Sequence, residues 1–249
     1  MGFLYTKKQN SYDIYNIYDT IYTRDNICNG VNNMKKQQRS KKETKYFYFF
    51  CKRTIDIILS FIGIVIFLIV ALIVKICYML TGDFKSIIYV HERVGKNNKL
   101  FKMYKFRTMV HNSAEVLEEL LKDPKIAEEW YKYYKLENDP RITFIGKILR
   151  KTSIDELPQF INILKGDMSL IGPRPLLDEE AAQYKKNRAK LVSIRPGLTG
   201  YWACNGRSNC TPEERKKLEL YYVDNCSMKL DIKIFFMTIV KVISREGAK

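Results

Sequence analysis

Histidine is nearly missing from this chain: His91 and His111 are the only two among 249 residues. The six cysteines (Cys28, Cys51, Cys77, Cys204, Cys210 and Cys226) include no C-x-x-C pair. Together these shortages argue against a structural zinc site. Scattered cysteines of this kind read as reduced thiols. No G-x-x-x-x-G-K-[ST] loop occurs, which disfavours a P-loop nucleotidase, and neither G-x-G-x-x-G nor G-x-S-x-G is present. Acidic residues are in deficit, 27 against 43 Lys and Arg, for a formal net charge of +16. Such an excess implies an anionic partner: nucleic acid, an anionic membrane or a phosphorylated substrate. Oxygen ligands are still plentiful, so a bound metal would be magnesium or manganese.

What the chain does have is one long apolar run. Ile57 to Val74 is an uncharged, Ile/Val/Leu-rich stretch of 18 residues between Asp56 and Lys75. As a helix it rises about 27 Å, against a hydrocarbon core of about 30 Å. It starts too late for a signal peptide. Before it, residues 1–45 are rich in Tyr, Asn, Lys and Asp without a period, which predicts a poorly ordered or adapter segment. Lys35, Lys36, Arg39, Lys41, Lys42, Lys45, Lys52 and Arg53 form a basic cluster suited to anionic lipid headgroups or to a topology signal. The far flank is basic too, from Lys85 through Arg93, Lys96, Lys99, Lys102, Lys105 and Arg107. The positive-inside rule keeps both ends on the cytoplasmic side, which predicts a re-entrant helix.

Beyond residue 86 the pattern is that of a soluble domain. Ser86 to Val90 is β-like and precedes a turn over Arg93–Asn98; Leu100 to Met109 alternates apolar and basic residues, as a strand or an interfacial segment would. Ala114 to Leu136 predicts helix broken at Asp123-Pro124, and Ile142 to Leu149 a helical or extended piece. Helices are predicted over Leu157–Leu164, ending at Gly166, and over Leu176–Val192, Thr211–Tyr222 and Leu230–Ile243. Thr211, Pro212 and Glu214 supply a capping box with proline at the first helical position.

The chemistry centres on Asp155-Glu156, in the run Arg150-Lys151-Thr152-Ser153-Ile154-Asp155-Glu156-Leu157-Pro158-Gln159. Ser153-x-x-Glu156 fits a helix capping box, with Asp155 in the first turn. Pro158 opposes that reading, because deep in the first turns it would remove a donor and crowd the backbone. A helix that begins at Pro158 leaves both acids in the break before it. There they can converge on a metal or a phosphorus atom; on a regular helix they would diverge by about 100°. A carboxylate approaching a phosphoryl group meets a repulsion of about 4 kcal/mol at 4 Å and an effective dielectric of 20. Left uncompensated, that costs roughly a thousandfold in rate. Arg141 and Arg150 just upstream, Arg174 between two prolines, and Arg195 and Arg207 at turns could offset it. Asp139, Asp167 and Asp231 are further acids of the kind that usually cap helices or pair with cations. The stretch Trp130-Tyr131-Lys132-Tyr133-Tyr134-Lys135 could stack on nucleic acid or be a solvated helix with an aromatic stripe.

Six motifs occur in order: Glu92-Arg93-Val94-Gly95, Tyr104-Lys105-Phe106-Arg107-Thr108-Met109, Asp139-Pro140-Arg141-Ile142-Thr143, Thr152-Ser153-Ile154-Asp155-Glu156-Leu157-Pro158-Gln159, Gly166-Asp167-Met168-Ser169-Leu170-Ile171-Gly172-Pro173-Arg174-Pro175 and Arg195-Pro196-Gly197-Leu198-Thr199-Gly200. From about Lys52 to its end the chain resembles the bacterial sugar transferase family, the monotopic polyprenyl-phosphate phosphoglycosyl transferases. The resemblance implies transfer of a phosphosugar from a nucleoside-diphosphate sugar, usually a UDP-sugar, to undecaprenyl phosphate, an initiating step of capsule, exopolysaccharide or glycan assembly. It implies that Asp155 is the nucleophile of an aspartyl-phosphosugar intermediate, that Glu156 assists, and that both face Mg2+ (or Mn2+). Arg150 and Arg174 match the phosphate-binding arginines, with Arg107, Arg141 and Arg207 as further candidates and Asp231 matching the acid of the C-terminal motif. The implied fold is mainly α with short β elements (α+β). It comprises a poorly ordered segment over 1–45, a re-entrant membrane helix over 46–85 and a compact catalytic domain over 86–249 with interfacial amphipathic helices. The implied location is the cytoplasmic face of the bacterial cytoplasmic membrane, with anionic lipids and a second copy or assembly proteins as possible partners and no nucleic acid. Two departures stand out: Leu68-Ile69 replaces the family's usual Ser-Pro kink, leaving Ser60 or Gly63 to turn the helix, and Trp202-Ala203-Cys204-Asn205-Gly206-Arg207 is a variant. A membrane-tethered nucleic-acid-binding protein and a non-catalytic scaffold of a polysaccharide assembly complex are the alternative readings; salt-sensitive DNA or RNA binding in detergent would mark the former.

Overall fold

In the computed structural model, which describes residues 45–133, 136, 138–206 and 210–244, the apolar run becomes one helix, α1, Lys45–Leu80. The chain divides into two compact units, Met1–Cys51 and Lys52–Lys249. Of the first, only the helical residues from Lys45 are described, so the expected N-terminal segment over 1–45 lies, but for Lys45, outside the described residues.

Within the second unit, α1 buries a single stripe: Asp56, Ser60, Gly63, Phe67, Val74 and Tyr78. Steps of three, four and seven residues put these on one helical face. Along it, α1 meets residues beyond the hairpin's start. Asp56 Oδ1 accepts from Ser169 Oγ at 3.1 Å and from the Leu170 backbone at 2.9 Å. The Phe67 and Phe106 rings lie 5.6 Å apart, and the Tyr78 hydroxyl donates to the Arg107 carbonyl at 2.7 Å. The opposite face exposes Phe61, Ile62, Val65, Leu68, Ile69 and Leu72. Only 22% of the most apolar window is buried, and the helix is long and apolar enough to cross a membrane. Ser60 and Gly63 do not interrupt it. Ser60 returns its hydroxyl to the Asp56 carbonyl at 2.6 Å, and Gly63 leaves room for the Phe160 ring, which a side chain there would strike.

The alternating stretches pair as an antiparallel hairpin. β1 (Ile88–Val94) and β2 (Leu100–Phe106) run in the register Ile88↔Phe106 to Val94↔Leu100 around a 3-10 turn at Lys96–Asn98. β1 thus extends four residues past the expected strand, into the expected turn. Asn97 and Asn98 take left-handed backbone angles there (φ 58 and 61), which asparagine tolerates. Proline breaks the next segment as expected, into α2 (Ser113–Leu120) and α3 (Pro124–Tyr133). The ambiguous piece after it is a helix, α4 (Phe144–Lys151), because the Thr143 hydroxyl accepts from Gly146 N at 2.9 Å as an N-cap.

α5 (Gln159–Lys165) stops at Gly166, whose φ of 88 favours glycine. Its last carbonyls receive guanidinium donors: Arg53 reaches Ile163 O at 2.6 Å and Leu164 O at 2.9 Å, and Arg195 reaches Gly166 O at 2.7 Å. Two three-residue strands not anticipated from the sequence, β3 (Ser169–Ile171) and β4 (Gly197–Thr199), then pair in parallel. The helix expected over Leu176–Val192 is instead broken into α6 (Asp178–Ala182), a 3-10 turn at Lys185–Asn187 and α7 (Arg188–Leu191). Lys185 sits at a positive φ of 47, which a continuous right-handed helix cannot contain. α8 (Tyr201–Asn205) follows, then α9 (Pro212–Asn225) with the predicted Thr211–Glu214 capping box, and α10 (Met228–Ser244). The fold is therefore mostly helical with short strands, as expected.

One glycine sets the seat of the helix that carries Arg150. A Cβ on Gly146 would overlap the Thr108 carbonyl oxygen, and backbone cannot rotate away as a side chain can. Gly146→Ala is expected to lower the melting temperature of the detergent-solubilised protein, with a loss on the order of 2–3 kcal/mol; an unchanged melt would show that α4 tolerates displacement from β2.

Candidate active site

The two acids lie where Pro158 predicts them, in a break between helices. α4 ends at Thr152, Ser153 takes a left-handed conformation (φ 57), and Ile154–Glu156 forms a single 3-10 turn. Pro158 is the N-cap of α5. The capping-box alternative is not realised: Ser153 makes no side-chain cap, and it is its carbonyl that accepts from Glu156 N, at 3.3 Å.

Asp155 and Glu156 open onto a cavity of about 720 Å³ and are the only carboxylates among its described lining residues. Lys105 on β2 reaches across to both, 2.8 Å from Glu156 Oε1 and 3.9 Å from Asp155 Oδ2. Asp155 is the more enclosed, with 15% of its side chain exposed against 36% for Glu156. Burial, and then the neighbouring Glu156, push the Asp155 carboxyl up to about 6, while Lys105 and Arg150 pull it down. Its carboxylate is therefore more basic than an ordinary aspartate and still ionised near neutral pH.

The expected arginines separate into two groups. Arg150 and Arg174 line the cavity. Arg150, in the last turn of α4, donates through Nε to Thr108 Oγ1 at 2.9 Å. Arg174 is held by its backbone, whose N–H donates to both carboxylate oxygens of the buried Glu219 at 3.1 Å. Arg107 also lines the cavity, but its guanidinium already serves Ser86 O, Met109 O and Asp83 Oδ2 at 2.7, 3.2 and 2.8 Å. Arg141 is buried away from the cavity lining, forked onto Asp139 at 2.8 and 2.7 Å. Asp231 is not brought to the cavity either: it is buried, accepting from Lys52 Nζ at 2.6 Å and the Tyr222 hydroxyl at 2.7 Å. Arg207 lies outside the described residues. Trp130, at the head of the expected nucleic-acid stretch, lies under the Arg141 guanidinium at 5.1 Å.

Several cavity residues escaped the sequence reading: Lys105, Thr108, Trp202 and both histidines. Lys105 was one of several regularly spaced lysines, and only the hairpin register singles it out. Glu219 sat unnoticed inside α9, where burial pushes its carboxyl up to about 7 against the pull of the Arg174 backbone and Arg215.

A metal fit can be judged from the donors. Among the described residues no group of three or more His, Cys, Asp or Glu side chains could hold an ion. Two carboxylates in an open cavity suit a hard divalent ion that takes its remaining ligands from water and substrate phosphates, as magnesium does.

The family follows from the sequence as a whole. A family model described as bacterial sugar transferase matches residues 47–245. The chain belongs to the bacterial sugar transferase family. Among its relatives, an uncharacterized sugar transferase of Haemophilus influenzae is 47% identical over 79% of this chain and 42% of its own length. The undecaprenyl-phosphate galactose phosphotransferase of Salmonella typhimurium is 46% identical over 80% of this chain and 42% of its own. The exopolysaccharide production protein ExoY of Sinorhizobium fredii is 40% identical over 79% of this chain and 87% of its own. This sugar transferase thus spans under half the length of the first two relatives and most of the third.

The raised Asp155 carboxyl has a consequence for stability. Between about pH 4 and 6 the folded transferase holds a proton that the unfolded chain has lost, so stability from this group falls as pH rises through that window. Asp155→Asn removes the penalty. The variant is expected to melt higher than the parent at about pH 7.5, by on the order of 2 kcal/mol, with the difference closing near pH 4. Equal melts at both pH values would mean that Asp155 is not desolvated.

Proposed function

We propose that this chain is a phosphoglycosyl transferase that moves a phosphosugar from a nucleoside-diphosphate sugar, with UDP as the nucleoside diphosphate, to undecaprenyl phosphate. One observation carries the reading: in a member of this family, the cavity holds a largely buried carboxylate, more basic than an ordinary aspartate, flanked by Arg150 and Lys105.

In the first step an Asp155 carboxylate oxygen attacks the phosphorus attached to the sugar. A new P–O bond forms, the bond to the bridging oxygen of the diphosphate breaks, and that oxygen leaves with the nucleoside monophosphate. The product on the protein is an acyl phosphate, the aspartyl-phosphosugar. In the second step a phosphate oxygen of undecaprenyl phosphate attacks the same phosphorus. The acyl-phosphate bond breaks, the Asp155 carboxylate is restored, and undecaprenyl diphosphate-sugar departs. Burial keeps Asp155 basic enough to attack, while Arg150 and Lys105 offset the repulsion between carboxylate and phosphoryl charge. Lys105 also holds Glu156 beside it, so the pair enters the reaction pre-oriented. Asp155 and Glu156 would hold the magnesium ion, which supplies further neutralisation of phosphate charge. The nucleic-acid reading rests on the net charge and the stretch that begins at Trp130, whose ring lies under Arg141, and the scaffold reading on the shared fold; neither accounts for the dyad and its cavity.

α1 supports a one-sided membrane arrangement. Contacts from Asp56 through Tyr78 all fall on one domain, while the other face is apolar and exposed. From Asp56 to Tyr78 the axis rises about 33 Å, so a perpendicular crossing would carry that domain's charged surface through the hydrocarbon. In our reading α1 is embedded from one side, with both ends and the cavity facing the cytoplasm.

Asp155→Asn is expected to abolish transfer from a radiolabelled UDP-sugar to undecaprenyl phosphate in membranes, by at least about a thousandfold. The parent, given donor without acceptor, should retain the labelled phosphosugar on protein; strictly ternary kinetics with no label retained would overturn the two-step route. For topology, single cysteines placed at the exposed Lys45 and Lys85 should both react with an impermeant thiol reagent only after the cytoplasmic face is exposed. Labelling of either from the outer face would establish a spanning helix.

A further inference from the structure

Two buried N–H donors in the cavity wall have no partner: Arg93 Nε and Trp202 Nε1. Their surroundings are otherwise satisfied. Arg93 pairs through Nη1 with Glu180 at 3.3 Å and through Nη2 with His91 Nδ1 at 3.2 Å. Arg215 donates to the other oxygen of Glu180 at 3.1 Å. The guanidinium carbons of Arg174 and Arg215 each lie 5.5 Å from the Trp202 ring centre, and Glu219 holds the Arg174 backbone. This is a preassembled cationic wall whose counter-charges are the half-buried Glu180 and the buried Glu219. An unmet N–H costs most where water is scarce, so two of them in one wall point to a ligand that brings acceptors.

The hairpin measures how far this wall stands from the dyad. In register, Lys105 is opposite Tyr89, Met103 opposite His91 and Phe101 opposite Arg93. Each two-residue step advances about 7 Å, so along the strands the Arg93 row lies about 14 Å from the Lys105 row, whose ammonium meets Asp155 and Glu156. A single hexose joined through its anomeric oxygen to a phosphorus at Asp155 is too short to cover that distance. A second phosphate, a ribose and a base in sequence are long enough. In-line attack also sends the leaving oxygen away from Asp155.

The chemistry of the wall agrees. Arg93, Arg174 and Trp202 offer N–H groups and no side-chain acceptor. The departing nucleotide presents phosphate oxygens and base carbonyls that only accept, and its ribose hydroxyls and base N–H can turn away from this wall; a hexose carries hydroxyls on nearly every carbon, which need acceptors as well. Resting on the donor assignment above, we propose that Arg93, Arg174 and Trp202 form the subsite for the leaving nucleoside monophosphate, with Glu180 and Glu219 keeping it assembled.

The test uses the full chain in detergent and uridine 5′-monophosphate as the probe. Trp202→Phe keeps the ring and removes its N–H, and Arg93→Lys removes Nε. Each is expected to weaken binding in calorimetry about tenfold and to raise KM for the UDP-sugar in parallel, leaving the preference among UDP-sugars unaltered. In a Trp130→Phe chain, whose sole remaining tryptophan is Trp202, the nucleotide should change the fluorescence without any change to the wall. The proposal is overturned if both variants bind the nucleotide as tightly as the parent. It is equally overturned if they shift sugar preference with nucleotide binding unchanged, or if the Trp202 signal ignores the nucleotide. A parent that transfers no phosphosugar, yet binds the nucleotide through this wall, would instead sink the transferase reading.

Discussion

Two adjacent carboxylates, one of them desolvated, must be kept together in a folded protein. That constraint organises everything around the cavity. Side by side they repel, and burial penalises the charge on Asp155 further. The opposing attraction comes from one ammonium, Lys105, presented by a strand of a different element, and from Arg150 on the helix that ends just before the turn. The geometry therefore needs three things in register at once: a helix that stops at Thr152, a left-handed Ser153 to reverse the chain, and a hairpin seated so that Lys105 faces the turn. Thr108, just past β2, ties the first and third together, accepting from Arg150 Nε while its carbonyl lies against Gly146.

The excess of positive charge is distributed with some economy. Much of it is structural. Arg107 gathers three backbone and side-chain oxygens, Arg141 is forked onto Asp139, and Arg53 and Arg195 close the end of α5. Lys52 sits in a buried pair with Asp231, joining α1 to α10. What remains in the cavity is a smaller set held at fixed positions, Lys105 and Arg150 near the dyad and Arg93 and Arg174 at the far wall. Two acids, the half-buried Glu180 and the buried Glu219, balance the far wall, while Lys105 and Arg150 face the dyad. An anion entering this cavity would thus meet cations at both ends, beside the dyad at one and set among acids and unmet N–H donors at the other.

The same economy governs α1. Its buried stripe is polar at one end, where Asp56 meets Ser169 and Leu170, and aromatic at the other, where Phe67 and Tyr78 meet Phe106 and Arg107. Between them the stripe is narrow, and the remaining circumference is apolar and uncovered. The helix is fastened to its own domain over most of its length rather than leaving it. This is why a run that reads from hydropathy as a simple span behaves in the fold as one wall of a domain.

Much of this was legible in the residues. Pro158 placed the two acids in a helix break, because proline tolerates only the start of a helix. Thr211, Pro212 and Glu214 marked the start of α9, Gly166 the end of α5, and Asp123-Pro124 the gap between α2 and α3, since caps and breakers act within a few residues. Local chemistry could not foresee β3 and β4, whose three-residue pairing exists only because segments 28 residues apart meet, Ser169 against Gly197. Nor could it foresee the break at Lys185, where tertiary packing overrides a helical pattern. The sequence alone thus determined which residues could carry charge, turn or break a helix. Only the tertiary structure decided which of many similar arginines, lysines and acids face the cavity and which are consumed holding it together. Solvent exposure and pairing across the chain depend on register and packing, and no single residue type encodes them.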